Sequence, residues 1–368
     1  MVDALKKIDK KFLILILCII LLPVVLIIFL ALLKGCSNKK MTYDNYEKSM
    51  VIAAEKYFEG KLPTGEGELL TVDLDTLVEE KYIKNYKKVL GKECIGQVTV
   101  RRTGISVEST NGGYVNYIYH LDCGDYSTTH LIDKITSEVV TSDSGLYKVG
   151  DKYIFKGNKV KNYIEFFGKN YRIVSIDKDG IMKLVKSETE DVSRVWDNKF
   201  NSEANATYGK TIYKDSSMLS YLISDYKNSK KFGKSARKHI VPYTICIGKR
   251  SINDNRISSE VDCSEKLENQ LLSLLNVSDF AMASTDPDCN STMSRSCRNY
   301  NYLYNVASGT WTLNTVEENT YEVFLLSGGL QIRDKANSYN GYSIVIYVDG
   351  NEPYVSGKGT SEDPYIIK

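Results

Sequence analysis

The chain has 368 residues, with 48 lysines and arginines against 46 aspartates and glutamates, and a formal net charge of +2. This balance lacks the basic excess that nucleic-acid-binding proteins carry. With 42% hydrophobic and 26% charged residues, the composition is that of a folded protein and excludes general disorder.

The N-terminal segment contains a long apolar run, Phe12–Leu33, that carries no charged residue. At about 1.5 Å per residue, a helix of this length reaches roughly 33 Å, enough to cross a hydrocarbon core of about 30 Å. A cleaved signal peptide usually has a shorter apolar core of about 7 to 15 residues. We therefore expect a cytoplasmic tail at 1–11 and an uncleaved transmembrane helix at 12–33.

The residues around this run bear on lipidation and orientation. Cys36 follows the run and could carry a lipid, but Lys34 stands where a lipidation signal has a small or apolar residue. A free thiol or an intermolecular disulfide is the alternative use of Cys36. Lysines flank the run on both sides, and long C-terminal regions are translocated largely regardless of charge. We expect the N-terminus in the cytoplasm and the C-terminal region outside the cell.

Residues 41–135 show the pattern of a small α+β domain. Apolar residues at helical spacing predict a helix within 41–60, with Asp44 as its cap, and a second helix at 71–86 follows the breaker at Leu62–Gly65. Segments with strand patterns come next, at 94–102, 104–110 and 114–123. The last two are separated by the turn signal Gly112–Gly113.

A Ser/Thr-rich linker at 136–150 leads to a second domain at 151–368. This domain begins with short alternating strands, one pair joined by the hairpin signal Asp179–Gly180. Helices are predicted at 216–229 and at 264–275, the latter with Asp262 and Glu265 as a capping box. Strands return at 321–328, 329–334 and 342–350. The fold class we expect is α+β, with a larger mixed domain that carries long irregular insertions.

The soluble part of the chain has an even number of cysteines, which suits an oxidising compartment. Sequence alone does not settle their connectivity, but nearest-neighbour pairs respect the division into domains. The predicted pairs are Cys94 with Cys123, Cys246 with Cys263, and Cys289 with Cys297. Zinc is the competing use, yet no C-x-x-C occurs and only His120 and His130 flank a cysteine. We expect no metal site.

The motifs that could carry catalysis are incomplete. Gly233–Ser235 resembles the end of a phosphate-binding loop, but Asn228 stands where such a loop needs a glycine. Ser224 and Lys227 have the spacing of a serine nucleophile and its lysine base, but the partner Lys-Thr-Gly motif is missing. We therefore predict no catalytic residue and no cofactor.

Aromatic side chains are the features that suggest binding, because their faces stack on sugar rings and exposed aromatic patches mark recognition surfaces. The candidates are Trp196, Trp311, Tyr300, Tyr302 and Tyr304. The alternative is ordinary packing of aromatic residues in strands.

Several motifs follow one another in the second domain: NYIEFFG, NYRIVSI, VWDNKFN, WTLN and the closing GKGTSEDPYIIK. In this order they resemble uncharacterised membrane-anchored surface proteins of low-GC Gram-positive bacteria. The resemblance covers about residues 45 to 368 and implies an anchor, a pilin-like first domain and a cell-surface location. Tyr171 stands where the family pattern has tryptophan, and the pilin processing motif is absent.

Together these features predict a membrane-anchored extracytoplasmic surface protein that binds a ligand and is not an enzyme. The ligand would be a glycan, a wall polymer or another protein, and no nucleic acid is expected. The alternative is a cell-envelope enzyme such as a wall hydrolase or transferase. That alternative calls for a deep cleft with paired acidic residues whose pKa is raised.

Overall fold

The computed structural model of this protein describes residues 41–65, 68–105, 113–254, 256–292, 294–327 and 330–367. Within these ranges, no helix combines the length and the apolar character that a membrane crossing requires. The expected tail at 1–11, the expected span at 12–33 and Cys36 lie outside the described residues.

The small domain packs a helix on one face of a three-stranded antiparallel sheet with the order β1-β2-β3. Tyr46 and Met50 of the helix are fully buried, as are Val98 and Leu121 of the sheet. The elements are α1 Tyr43–Tyr57, β1 Leu69–Asp73, α2 Leu74–Glu79, α3 Tyr86–Val89, β2 Ile95–Ile105 and β3 Gly113–Asp122. The α+β expectation for this part of the chain is confirmed.

Helix α1 begins one residue before its expected cap. The side chain of Thr42 accepts a hydrogen bond from the Asn45 amide at 3.3 Å, so Thr42 is the N-cap. Asp44 instead lies in the first turn, where its carboxylate pairs with Lys48 at 2.7 Å. An acidic side chain there also interacts favourably with the positive end of the helix dipole.

The second domain is built on a nine-stranded sheet with the order β12-β17-β8-β7-β6-β19-β18, to which β5 and then β4 are added beside β7. Its strands are β4 Gly145–Val149, β5 Lys152–Lys156, β6 Tyr163–Phe166, β7 Lys169–Ile176, β8 Ile181–Lys186, β12 Leu272–Ser273, β17 Val345–Asp349, β18 Tyr354–Ser356 and β19 Tyr365–Ile367. The closing motif PYII thus forms a strand, parallel to β6, inside this sheet.

Smaller sheets and short helices surround the large one. The sheets are β9 Arg194–Val195 with β16 Tyr339–Asn340, β10 Tyr243–Cys246 with β11 Lys266–Gln270, and β13 Thr310–Thr315 with β14 Glu322–Ser327 and β15 Leu330–Lys335. The helices are α4 Leu131–Thr136, α5 Ser217–Lys227, α6 Lys234–His239, α7 Ser259–Asp262, α8 Val277–Met282 and α9 Tyr304–Ala307. This is a mixed α+β domain.

The structure differs from the expected elements at 136–150 and 264–275. Leu131, Ile135 and Leu146 belong to the core of the second domain, and β4 is part of its large sheet, so the expected linker is integrated into that domain. The helix expected at 264–275 is instead β11 and β12. The disulfide from Cys263 and the pairing of β11 with β10 hold this segment extended, so tertiary contacts override its helical spacing.

Candidate functional site

The three predicted disulfides are confirmed. The Cα atoms lie 4.1 Å apart in the pair Cys94–Cys123, 4.4 Å in Cys246–Cys263 and 4.6 Å in Cys289–Cys297. One bond closes the small domain and two lie in the second domain. Structural disulfides of this kind persist in oxidising compartments.

The five aromatic candidates do not form one exposed surface. Trp196 and Trp311 are 0% and 1% exposed, and their indole N–H groups donate to the Thr312 and Arg194 carbonyls. Tyr302 is also buried, Tyr304 is half-buried and Tyr300 is 58% exposed. A buried ring has no free face for a ligand, so the tryptophans and Tyr302 serve the core, as the packing alternative proposed.

A different group of residues forms a cleft of about 280 Å³ between the β6–β7 hairpin and the loop from α5 to α6. We call it the lysine cleft. It is lined by Phe166, Phe167, Lys169, Tyr171 and residues 229–236.

The hairpin turn places an aromatic side chain at the rim of the cleft. Phe166 and Lys169 pair across the hairpin, so Phe167 and Gly168 form a two-residue turn, with φ values of +50° and +78°. Such turns favour asparagine, aspartate or glycine, because both central residues need positive φ. A bulky residue there costs about 1–3 kcal/mol, and such strain is concentrated at functional sites. Phe167 is nevertheless 43% exposed, which makes it the best candidate for an aromatic contact with a ligand.

The opposite wall is built by a tight turn that follows α5. The Asn228 side chain accepts from the Lys230 amide at 3.0 Å, and its carbonyl accepts from the amides of Lys231 and Phe232. The turn buries Phe232 and leaves Lys230 exposed. Asn228 therefore holds this wall in place through its hydrogen bonds to the turn. It is the same residue that stands where a phosphate-binding loop needs a glycine.

Some charges next to the cleft are neutralised by ion pairs. The Lys231 ammonium lies 2.5 Å from Glu190 and 2.9 Å from Asp225, and Lys186 lies 2.7 Å from Glu190. Burial acts to lower the pKa of Lys231, but hydrogen bonds to Glu190 and Asp225 raise it well above its usual value. Lys231 therefore stays charged while its charge is balanced within the protein.

Three other lysines of the cleft have no such balance. Among the described residues, no carboxylate lies within ion-pair distance of Lys169, Lys230 or Lys234. Lys169 donates instead to the backbone carbonyls of Lys230 and Lys231. Burial lowers the pKa of Lys169, and the nearby charge of Lys186 lowers it further, while the more distant carboxylates of Glu190 and Asp225 offset this only in part. An anion placed in the cleft would relieve this unfavourable electrostatic environment.

This arrangement can bind a phosphate or carboxylate group. Lysine is a common point-charge ligand for phosphate, and the hydroxyls of Ser229 and Ser235 add hydrogen-bonding groups to the lining. The aromatic rim offers a face for the apolar side of a sugar or polyol. The cleft therefore combines charge and stacking in one place.

A larger cavity, of about 610 Å³, lies near the Cys246–Cys263 disulfide, with Asp254, Arg256, Glu260 and Glu317 among the residues that line it. Hydrogen bonds from Arg256 lower the pKa of Asp254 to about 2. A general acid needs the opposite shift. In the described part of the chain, no group of three or more side chains suited to a metal ion is present.

Sequence reasoning noted Gly233–Ser235 but missed the lysine cleft. The available signals were the glycine that follows Phe167 in FFGK and the lysine-rich stretch KKFGK. Comparisons with protein-family models, with curated proteins and with solved structures find no match for this chain.

Proposed function

We propose that this chain is a cell-surface protein, anchored through 12–33, whose lysine cleft binds an anionic polymer of the cell envelope. The observation that carries the proposal is the set of three lysines without a carboxylate partner, Lys169, Lys230 and Lys234, beside the strained and exposed ring of Phe167. The three disulfides support a location outside the cytoplasm.

The charge of the cleft favours an anion over a neutral ligand. Four lysines line the cleft, at positions 169, 230, 231 and 234. Beside it, Lys186 and the two carboxylates of Glu190 and Asp225 form ion pairs, so positive charge exceeds negative charge. The chain as a whole is nearly neutral, with a net charge of +2. The excess is therefore local, as expected where a specific anionic group is bound.

The size of the cleft favours a repeating ligand that is bound through one unit at a time. Its volume of about 280 Å³ lies just below the range of about 300–1,000 Å³ found for small-molecule pockets. One phosphate with its neighbouring glycerol or sugar fits this space better than a large cofactor does. In a polyol phosphate chain, the phosphate groups can pair with the lysines, and the carbon-bound hydrogens of the polyol can pack against the ring of Phe167.

Binding can be measured by calorimetry with the full chain in detergent and a poly(glycerol phosphate) of defined length. We expect saturable binding that weakens as salt is added, because exposed charges are screened within about 10 Å at 0.1 M salt. A neutral glycan of similar length is expected not to compete.

The test variant is the double substitution Lys230→Met and Lys234→Met, since neither ammonium has a described carboxylate partner. At about 0.2–1 kcal/mol for each of the two exposed charges removed, affinity should fall about 2- to 30-fold. The matched control is Lys214→Met with Lys266→Met, two exposed lysines that do not line the cleft. Equal affinities of the two double variants, or no binding of the polymer, would refute the proposal.

The proposed location has its own test. Protease added to intact cells should digest the region from 41 onward and leave an N-terminal tag untouched. Protection of the whole chain would contradict an extracytoplasmic location, whatever the cleft binds.

A further inference from the structure

Helix α6 joins the lysine cleft to the small domain. Its first residues, Lys234 and Ser235, line the cleft. At its other end the Lys238 carbonyl accepts a hydrogen bond of 2.5 Å from the hydroxyl of Thr103, a residue of β2 that is 1% exposed. One short helix therefore contacts both the ligand site and the other domain.

A buried polar cluster fixes the last residue of this helix. His239 Nδ1 lies 2.7 Å from Glu352 Oε1, and the Asn116 side-chain amide of β3 donates to the same oxygen. Glu352 is 1% exposed and Asn116 is 8% exposed. A buried carboxylate is expensive to desolvate and is retained only with close partners. Its partners here come from the small domain and from α6.

An ion pair also holds the same junction. Arg101 of β2 lies 2.8 Å from Asp349 at the end of β17, with 14% and 3% of the two side chains exposed. Glu352 follows Asp349 by one turn, since the Glu352 amide donates to the Asp349 carbonyl. The Arg101–Asp349 ion pair and the Asn116–Glu352 hydrogen bond therefore connect the small-domain sheet to the end of β17 and the turn that follows it.

The same histidine also reaches the rim of the cleft. The rings of Phe167 and His239 lie 5.0 Å apart. His239 thus contacts the aromatic rim on one side and Glu352 on the other.

From these contacts we infer that the small domain positions the α6 wall of the ligand site, with Asn116 and Thr103 of the small domain and Glu352 of the second domain as positioning residues. The inference rests on the proposed function of the lysine cleft. A six-residue helix is not stable by itself, so its position is set by what it packs against. The small domain fixes its C-terminal end directly, through the bond from Thr103 to the Lys238 carbonyl, and through Glu352, which accepts from Asn116 and contacts His239.

The principal test is Glu352→Ala, compared with Glu352→Gln, in the calorimetric assay with poly(glycerol phosphate). Alanine removes the carboxylate oxygen with which both His239 and Asn116 form hydrogen bonds, so affinity should fall about tenfold. Glutamine keeps that acceptor and should restore affinity to within about threefold of the wild type. A residue that only stabilises the fold would not give this rescue at a temperature where all variants are folded.

Two further variants guard against a general loss of stability. Thr103→Val removes the hydroxyl that contacts the carbonyls of Lys238 and Tyr114, at similar volume, and we expect affinity to fall about threefold. Val72→Ala weakens the small-domain core, where Val72 is 4% exposed, without touching α6 or the junction cluster. It should lower the melting temperature and leave affinity unchanged.

The outcomes separate the two proposals. Wild-type affinity in Glu352→Ala or Thr103→Val overturns the role of the small domain and leaves the cleft as the binding site. A loss of affinity in Val72→Ala as large as in Glu352→Ala also overturns it, because stability alone would then explain both. Absence of binding by the wild type overturns the proposed function and this inference together.

Discussion

Phe167 and His239 face each other across 5.0 Å, ring centre to ring centre, with an angle of 46° between the rings. Phe167 lies at the rim of the lysine cleft, and His239 is bonded to Glu352 at the junction with the small domain. The pair therefore marks the place where the proposed binding site and the domain junction meet.

Substitution of Phe167 should separate stability from binding. Phe167→Asn places a residue that tolerates positive φ in the turn, so the free energy of unfolding should rise by about 1 kcal/mol. The same change removes the exposed ring, and affinity for the polyol phosphate should fall. Denaturant unfolding and calorimetry measure the two effects.

The control for Phe167 is Phe200→Asn, which removes another exposed phenylalanine, 55% exposed, whose φ is not positive. It should bring neither the gain in stability nor the loss of affinity. A less stable Phe167→Asn protein, or one with unchanged affinity, would contradict a strained residue kept for binding.

Lys169 should make binding sensitive to alkaline pH. Its pKa is lowered by burial and by Lys186, so it loses its proton at a lower pH than an ordinary lysine, which titrates at about 10.4. Affinity for an anion should therefore fall as the pH rises through this lowered pKa. In Lys169→Met, affinity should be lower at neutral pH, and the alkaline decrease should move to higher pH.

The lowered pKa of Lys169 also determines how folding stability changes with pH. A lysine with a lower pKa in the folded protein binds fewer protons there than in the unfolded chain, so stability rises with pH between the two pKa values. This alkaline rise should be absent from Lys169→Met when denaturant midpoints are compared across pH. An identical pH profile in both proteins would argue against a lowered pKa of Lys169 in the folded protein.

The disulfides should contribute unequally to stability. The chain-entropy relation gives about 3.5 kcal/mol for Cys94–Cys123, whose cysteines are 29 residues apart. The same relation gives about 2.5 kcal/mol for Cys289–Cys297, with a separation of 8 residues. Replacing Cys94 and Cys123 with alanine should therefore unfold the small domain first, which calorimetric scans would show as a separate early transition. A single unchanged transition would count against this bond as the main constraint on that domain.

Acidic pH should remove the contribution that the ionised Asp254 carboxylate makes to folding stability. Hydrogen bonds from Arg256 lower its pKa to about 2, below the usual value of about 3.9. The resulting stability is present above about pH 4 and is lost as the pH falls to about 2. Asp254→Asn should be less stable than the wild type at pH 6 and equal to it near pH 2. Parallel stability curves over this range would show that the ion pair contributes nothing.

Helices and strands could be predicted where the local sequence pattern alone determines the structure. The helix expected at 216–229 is observed as Ser217–Lys227, because Ser216 caps it and Met218, Leu222 and Tyr226 give it a buried face. Ile223 of the same helix is 47% exposed. The disulfide pairing followed from the cysteine order. By contrast, the segment after Cys263 depends on contacts with β10 that are remote in sequence.

The lysine cleft could not be predicted, because its walls come from distant parts of the chain. Phe167 and Lys169 belong to a hairpin, whereas Lys230 and Lys234 follow α5 more than 60 residues later. The near-zero net charge hides this local concentration of lysines. The aromatic residues were also misleading in part as indicators of a binding surface. Tryptophan is a large apolar side chain, and both Trp196 and Trp311 are buried in the core of the second domain.

Lysine footprinting shows directly whether the polymer binds in the lysine cleft. The full chain is labelled with an amine-reactive ester, with and without poly(glycerol phosphate), and the modified lysines are identified by mass spectrometry. We expect the polymer to protect Lys169, Lys230 and Lys234, while Lys214 and Lys266 react as before. Protection confined to other lysines, or none at all at saturating polymer, would contradict the lysine cleft as the binding site.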